Sequence, residues 1–91
     1  MRTIWKFPID IANTQTVMMP KGTDILTVQM HNEKPAIWAI VETDAPMEPR
    51  TIVTYGTGHL MPGKTEMPNK YLGTIQAYSG MLVLHLFETI S

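Results

Sequence analysis

Apolar residues along this chain recur at every second position far more often than at every third or fourth, and that period belongs to strands. In "TIWKFPI" Trp5, Phe7 and Ile9 fall on one side and Lys6 on the other, after a polar start at Thr3. "ILTVQMH" sets Leu26, Val28 and Met30 against Thr27, Gln29 and His31, the pattern of a strand with one wet face. "AIWAIVE" is apolar on both faces from Ala36 to Val41 and reads as a central strand. "RTIVTYG" is β-branched and aromatic, "YLGTIQAY" and "MLVLHLFE" follow as a pair, and "QTVMMP" is a weaker strand that brings the number to seven.

Turn chemistry separates these runs. "NEKP" connects His31 to Ala36 as a hairpin, "KGTD" follows the weak strand, and "SG" joins the last two strands as a two-residue connection. Prolines at 8, 20, 35, 46, 49, 62 and 68 leave little room for helix, because proline lacks the amide donor and clashes with the preceding turn. Only "TDAPMEP" suggests a brief helical turn. The expected architecture is all-β: a small antiparallel β-sandwich or partly open barrel of about seven short strands. Residues 1–91 read as a single β domain, with Trp5, Phe7, Val28, Trp38, Ile40, Val53, Leu84 and Leu86 contributing to one core.

At 91 residues the chain can bury only roughly 60 to 65% of the surface that its unfolded form exposes. Cysteine is absent, so no disulfide or thiolate metal site supplements that core. Short strands with exposed edges therefore predict self-association, with "MLVLHLF" contributing most because it is apolar on both faces. Met18, Met30 and Met81 lie in apolar surroundings and read as core filler. Met47, Met61 and Met67 lie close to prolines, where an adaptable thioether suits a contact surface.

Seven basic residues against eight acidic ones give a formal charge of −1, with the basic residues dispersed, which argues against nucleic acid and anionic membrane as partners. The opening "MRTIWKFPID" lacks the apolar run of a signal peptide, and no segment reads as membrane-spanning. Enzyme classes fall one by one. The serines, Ser79 in a predicted turn and Ser91 at the end, are poorly placed for a nucleophile held beside a base. His31, His59 and His85 are each more than twenty residues apart, without the close spacing of zinc ligands. No phosphate-binding glycine motif is complete: "GTGHLMPGK" departs from both common forms in spacing and in context. The expectation is a protein that is not an enzyme, with no cofactor, no metal and no catalytic residue.

One loop stands out. "YGTGHLMPGK" places three of the six glycines and one histidine within ten residues. Gly56 and Gly58 open backbone angles closed to other residues, so their amides could converge on an anion, with Thr57, His59 and Lys64 as side-chain donors and Tyr55 at the strand end. The same glycines also suit a sharp bend where a strand leaves its sheet. Tyr55, Gly56, Thr57, Gly58, His59 and Lys64 are the candidate ligand-binding residues. His85, within "LVLHLFE", reads as a half-buried histidine satisfied by a backbone or tyrosine partner, and His31 as a solvated one. The connection from His59 to Lys70 is polar and Pro-punctuated, which suits a contact loop.

The opening "MRTIWKFPI", the stretch "ILTVQMHNEKPAIWAIVETDAP", "YGTGH", "YLGTIQ" and "LVLHLFE" together resemble a family of small phage and prophage proteins defined as a domain of unknown function. No activity travels with that resemblance. It implies a setting in the cytoplasm of an infected host cell, where short proteins act in host interaction or counter-defence. The expected function is stoichiometric binding that blocks a host protein or sequesters a small anionic, nucleotide-like ligand. The alternative is a structural or assembly accessory protein of the virion with no specific ligand.

Overall fold

A computed structural model describes residues 1–61, 63 and 69–89. Seven strands run in chain order: β1 (Arg2–Pro8), β2 (Thr14–Pro20), β3 (Asp24–His31), β4 (Lys34–Glu42), β5 (Met47–Gly56), β6 (Asn69–Ala77) and β7 (Leu82–Thr89). They form two antiparallel sheets, β1-β4-β3 and β2-β5-β7-β6, packed face to face as the alternating pattern requires. No helix occurs among the described residues. "TDAP" is a hydrogen-bonded turn closed by Ala45 N–H to Glu42 O at 3.1 Å, too short to continue helically before Pro46.

One core fills the space between the sheets. Ile25, Val28, Ile37 and Ala39 enter from the three-stranded sheet; Met19, Ile52, Ile75, Leu84 and Leu86 enter from the other. Val28, Leu84 and Leu86 lie where the sequence places them, and Phe7 packs against the cluster. Four other expected core residues differ. β4 is apolar on both faces, and its inward set is Pro35, Ile37, Ala39 and Val41, so Trp38 and Ile40 cover the outer face instead. Val53 also faces outward, opposite Phe87. Trp5 shares the inner face with Phe7, its ring 6.1 Å away, but stays 38% exposed because β1 is an edge strand.

A bulge explains another departure. The β3–β4 register shifts between Ile25 and Thr27, so Ile25 and Val28 both point inward and Leu26 is left 48% exposed. Simple alternation cannot anticipate an extra residue. Two methionines differ as well: Met19, in regular alternation with the half-buried Val17, is fully buried while Met18 is exposed, and Met81 lies in a turn. That turn is longer than the two residues "SG", because the last β6–β7 pair is Ala77 with Leu82 and the connection spans Tyr78 to Met81. The β3–β4 hairpin is tighter than "NEKP", closing with His31 opposite Lys34 around Asn32 and Glu33.

Strand order also bears on self-association. β7 lies between β5 and β6 with both edges hydrogen-bonded, so its apolar sequence reflects burial, and it offers no edge to a second copy. The outer strands are β1, β3, β2 and β6. His31 is not simply solvated: its ring stacks on Trp38 at 5.9 Å and 6° between planes.

Antiparallel pairing sorts the connections to two ends. The β2–β3 and β4–β5 turns and the start of β6 share one end; the β1–β2 loop, both hairpin tips and the segment after Gly56 share the other. The second is the loop end.

Candidate functional site

β5 delivers the glycine-rich segment to the loop end, and its two-residue period sends neighbouring side chains to opposite sides of the sheet. Thr54 and Gly56 oppose the buried Leu86 and Leu84 and so face inward; Tyr55 opposes His85 on the outer face. After Gly56 the chain turns at once. His59 N–H donates to Gly56 O at 3.0 Å, and Gly58 stands at φ +86, where an L side chain is disfavoured. The Thr57 N–H bonds Val83 O at 3.3 Å, which holds the turn against β7.

The two glycines have different jobs. Gly58 supplies the left-handed bend. Gly56 makes room for the His59 ring, which folds back so closely that a Cβ on Gly56 would lie 2.7 Å from Cε1. Gly56 N–H donates to His59 Nδ1 at 3.2 Å, so in the neutral imidazole the proton resides on Nε2. The turn thereby engages the amides of Gly56, Thr57 and His59 internally. Only the Gly58 amide, among these four, is left without an acceptor among the described residues, so the segment is not a nest of convergent donors. Lys64, the cation expected beside it, lies outside the described residues.

Beneath His59 is a cleft of about 310 Å³ between the β1–β2 loop and the inner face of β5 and β7. Ile11 and Asn13 form one wall; Thr54, Gly56 and Leu84 form the other. The backbone joins these walls through Thr54 N–H to Asn13 O at 2.9 Å. The Thr54 hydroxyl is different, because Oγ1 is buried and has no hydrogen-bond partner among the described residues. A buried hydroxyl without a partner costs free energy that a methyl group would not.

On the outer face a chain of polar contacts pins the same turn. Thr57 Oγ1 lies 2.8 Å from His85 Nε2, His85 Nδ1 lies 2.9 Å from Thr74 Oγ1, and Thr74 Oγ1 lies 2.6 Å from the Tyr71 hydroxyl. A neutral imidazole has one donor and one acceptor nitrogen, so Thr57 and Thr74 take opposite roles. His85 is half-buried as expected, but threonines satisfy it, with a tyrosine one step further on. Phe87 sits beside it between Tyr55, edge-on at 5.9 Å, and Tyr71 at 5.5 Å.

The six expected ligand-binding residues therefore divide. Gly56 and His59 border the cleft, Gly58 makes the turn, Tyr55 and Thr57 belong to the outer face, and Lys64 is not described. Sequence reasoning passed over Asn13 and Thr54 in the cleft and Thr74 and Tyr71 on the outer face. The alternation of Thr54, Tyr55, Gly56 and Thr57 does reveal which of them share a side. The contact of Thr57 with His85 depends on the β5–β7 register, which no local pattern carries.

Fold and cleft together define a small all-β sandwich domain with an open loop end. Residues 1–91 match the family described as "Domain of unknown function (DUF7352)", and the chain belongs to that family. No curated protein and no solved structure matches the chain.

Proposed function

We propose that this protein acts by stoichiometric binding, without turnover, and that the cleft under the glycine turn takes a small polar ligand. The observation that carries this reading is the cleft under His59, whose wall includes Thr54, a residue with a buried hydroxyl that has no partner among the described residues. Such a group persists at a cost in the free protein, and a ligand that shifts the cleft wall enough to bond to it recovers the loss. His59 Nε2–H and the Asn13 side chain supply further polar contacts, while Ile11 and Leu84 offer apolar surface. This composition suits a ring-bearing molecule with polar edges, such as a nucleotide. No Lys or Arg borders the cleft among the described residues, so a negative charge on the ligand would be met by the His59 ring. In a phage-infected cell, such binding would sequester a signal or block a host component.

The test is an NMR titration of the full chain with linear and cyclic mononucleotides and with inorganic phosphate. Saturable shifts at Asn13, Thr54, Gly56 and His59, weakened in His59→Ala, are expected. No saturable shift at those residues across the set would overturn the reading.

A second reading, assembly of copies as a virion accessory, draws on a different surface. Ile4, Leu26, Trp38 and Ile40 lie on the outer face of the three-stranded sheet, and Ile4 and Leu26 are largely exposed. Light scattering at tens of micromolar separates the two: a dimer or larger mass, reduced to the monomer by Ile4→Lys, favours assembly, and a monomer throughout excludes it.

A further inference from the structure

At the same loop end, on the other side of Ile11, lies a second cavity of about 410 Å³. Its lining includes Met30, Glu33, Gln76, Tyr78 and Ser79. Four non-glycine residues in the described chain adopt positive φ: Asn32 at 51, Glu33 at 67, Tyr78 at 53 and Ser79 at 57. Asparagine is at home there, but the other three are not, and glycine or asparagine would form the same tight turns with less strain. All three of those strained residues line this one cavity. Backbone strain at hairpin tips that converges on a single cavity is a signature of side chains retained for contact rather than for folding.

The chemistry of the lining identifies what would fill it. Glu33 is the only charged group, and no cation pairs with it among the described residues. Gln76 and Ser79 add neutral oxygen acceptors, and the Gln76 Oε1 lies 3.3 Å from where a Cβ on Gly80 would stand, which places it at the turn. Tyr78 adds an aromatic ring, while Ile11, Met30 and Ala77 supply apolar wall. A long apolar stem ending in a planar cation meets every one of these features: the stem lies along Ile11 and Met30, the guanidinium meets the carboxylate, and its plane stacks on the tyrosine.

We propose that this cavity receives an arginine side chain of a partner protein. Ile11, Tyr78 and Met81 are all exposed around the β1–β2 loop and the β6–β7 turn, and this apolar rim extends the contact beyond one residue, as a protein partner requires. The site is separate from the cleft under His59 and stands whether or not that cleft binds a ligand.

The test uses the full chain and three blocked tripeptides, Gly-Arg-Gly, Gly-Lys-Gly and Gly-citrulline-Gly, followed by NMR. The arginine peptide should give saturable shifts at Glu33, Gln76, Tyr78 and Ser79, and Glu33→Gln should weaken that binding by about tenfold or more. Citrulline, equal in shape but neutral, should bind no better than the variant does. An arginine peptide that gives no saturable shift, or a citrulline or lysine peptide that binds as tightly, overturns the proposal. A second arm needs no ligand: Glu33→Gly and Ser79→Gly should each raise the thermal midpoint, since they relieve the strained turns. A fall in both midpoints would mean that the side chains serve folding, and the proposal would fail.

Discussion

The two ends of this sandwich solve opposite problems. At the end away from the loops, Arg50 on β5 donates from Nε and Nη2 to the two carboxylate oxygens of Glu88 on β7, the latter contact at 2.9 Å, and from Nη1 to Thr23 O at 2.9 Å. Thr23 immediately precedes β3, so one guanidinium ties the four-stranded sheet to the three-stranded one. The two side chains are only 17% and 11% exposed. Thr23 itself is buried and bonds Pro20 O through Oγ1 at 2.6 Å. The hydrogen bonds that Arg50 donates to Glu88, with the nearby charges of Glu88, Glu48 and Asp24, hold it above its ordinary guanidinium value against the opposing effect of burial. A raised value means stability that is complete below the ordinary guanidinium range and is lost only above it, so the arginine half of this tie is present at every working pH. Among the described residues the loop end has no comparable tie. It holds instead the unpartnered Thr54 hydroxyl, two cavities and all four non-glycine residues at positive φ. Stability is concentrated at one end and strain at the other, the division expected when one end of a small domain holds the fold and the other is left to make contacts.

The largest effect should come from breaking the tie. Glu88→Ala leaves the largely buried Arg50 without its bidentate carboxylate and should cost about 3 kcal/mol, a large share of the stability of a domain this size. Urea denaturation measures it. Replacing both residues by apolar ones, Arg50→Met with Glu88→Leu, should cost less than the single change, because no uncompensated charge remains. A single variant as stable as the parent would show that the polar end is not where the sheets are held.

Next is the middle of the fold, where β6 meets β3. A Cβ on Gly73 would stand 2.8 Å from Val28 Cγ1 and 3.4 Å from Val28 O, so the two strands approach only because the residue has no side chain. Gly73→Ala should cost about 2 kcal/mol through overpacking. Adding Val28→Ala should restore part of that loss, a sign reversal that a simple cavity would not produce.

How much of this was legible follows from what kind of information each feature needs. The seven strands, the turns and the all-β class are written locally, in alternation and in proline and glycine placement. Phe7 and Val28 follow from alternation directly, and in β7, apolar on both faces, only His85 between them marks the side opposite Leu84 and Leu86. Trp38 does not, because both faces of β4 are apolar and periodicity alone cannot say which one meets the second sheet. Leu26 misleads because a bulge adds one residue to β3. At the glycine turn the need for a bend at Gly58 is local, whereas the reason for Gly56 is the His59 ring, a contact made only once the turn forms. The Arg50–Glu88 tie joins residues far apart in the chain and carries no sequence signal of its own.

Gly58→Ala tests the turn at the loop end. With φ at +86 and open space around the missing Cβ, the cost is conformational and should be about 1 kcal/mol. A smaller loss than at Gly73 is the expected order, since nothing there is crowded.

The smallest effect is the most telling. Thr54→Val keeps the shape of the side chain and removes the unpartnered hydroxyl, so the folded protein should be unchanged or more stable by up to about 1 kcal/mol. The same change at Thr23, whose hydroxyl is bonded, should destabilise by about 1 kcal/mol. These two isosteric replacements place the two ends on one scale by thermal denaturation. If Thr54→Val also abolishes the nucleotide-induced shifts at Asn13 and His59, the hydroxyl is held at a cost to stability for the sake of binding. A loss of stability in Thr54→Val equal to that in Thr23→Val would mean that Thr54 already has a partner in solution, and the distinction between the ends would lose its clearest element.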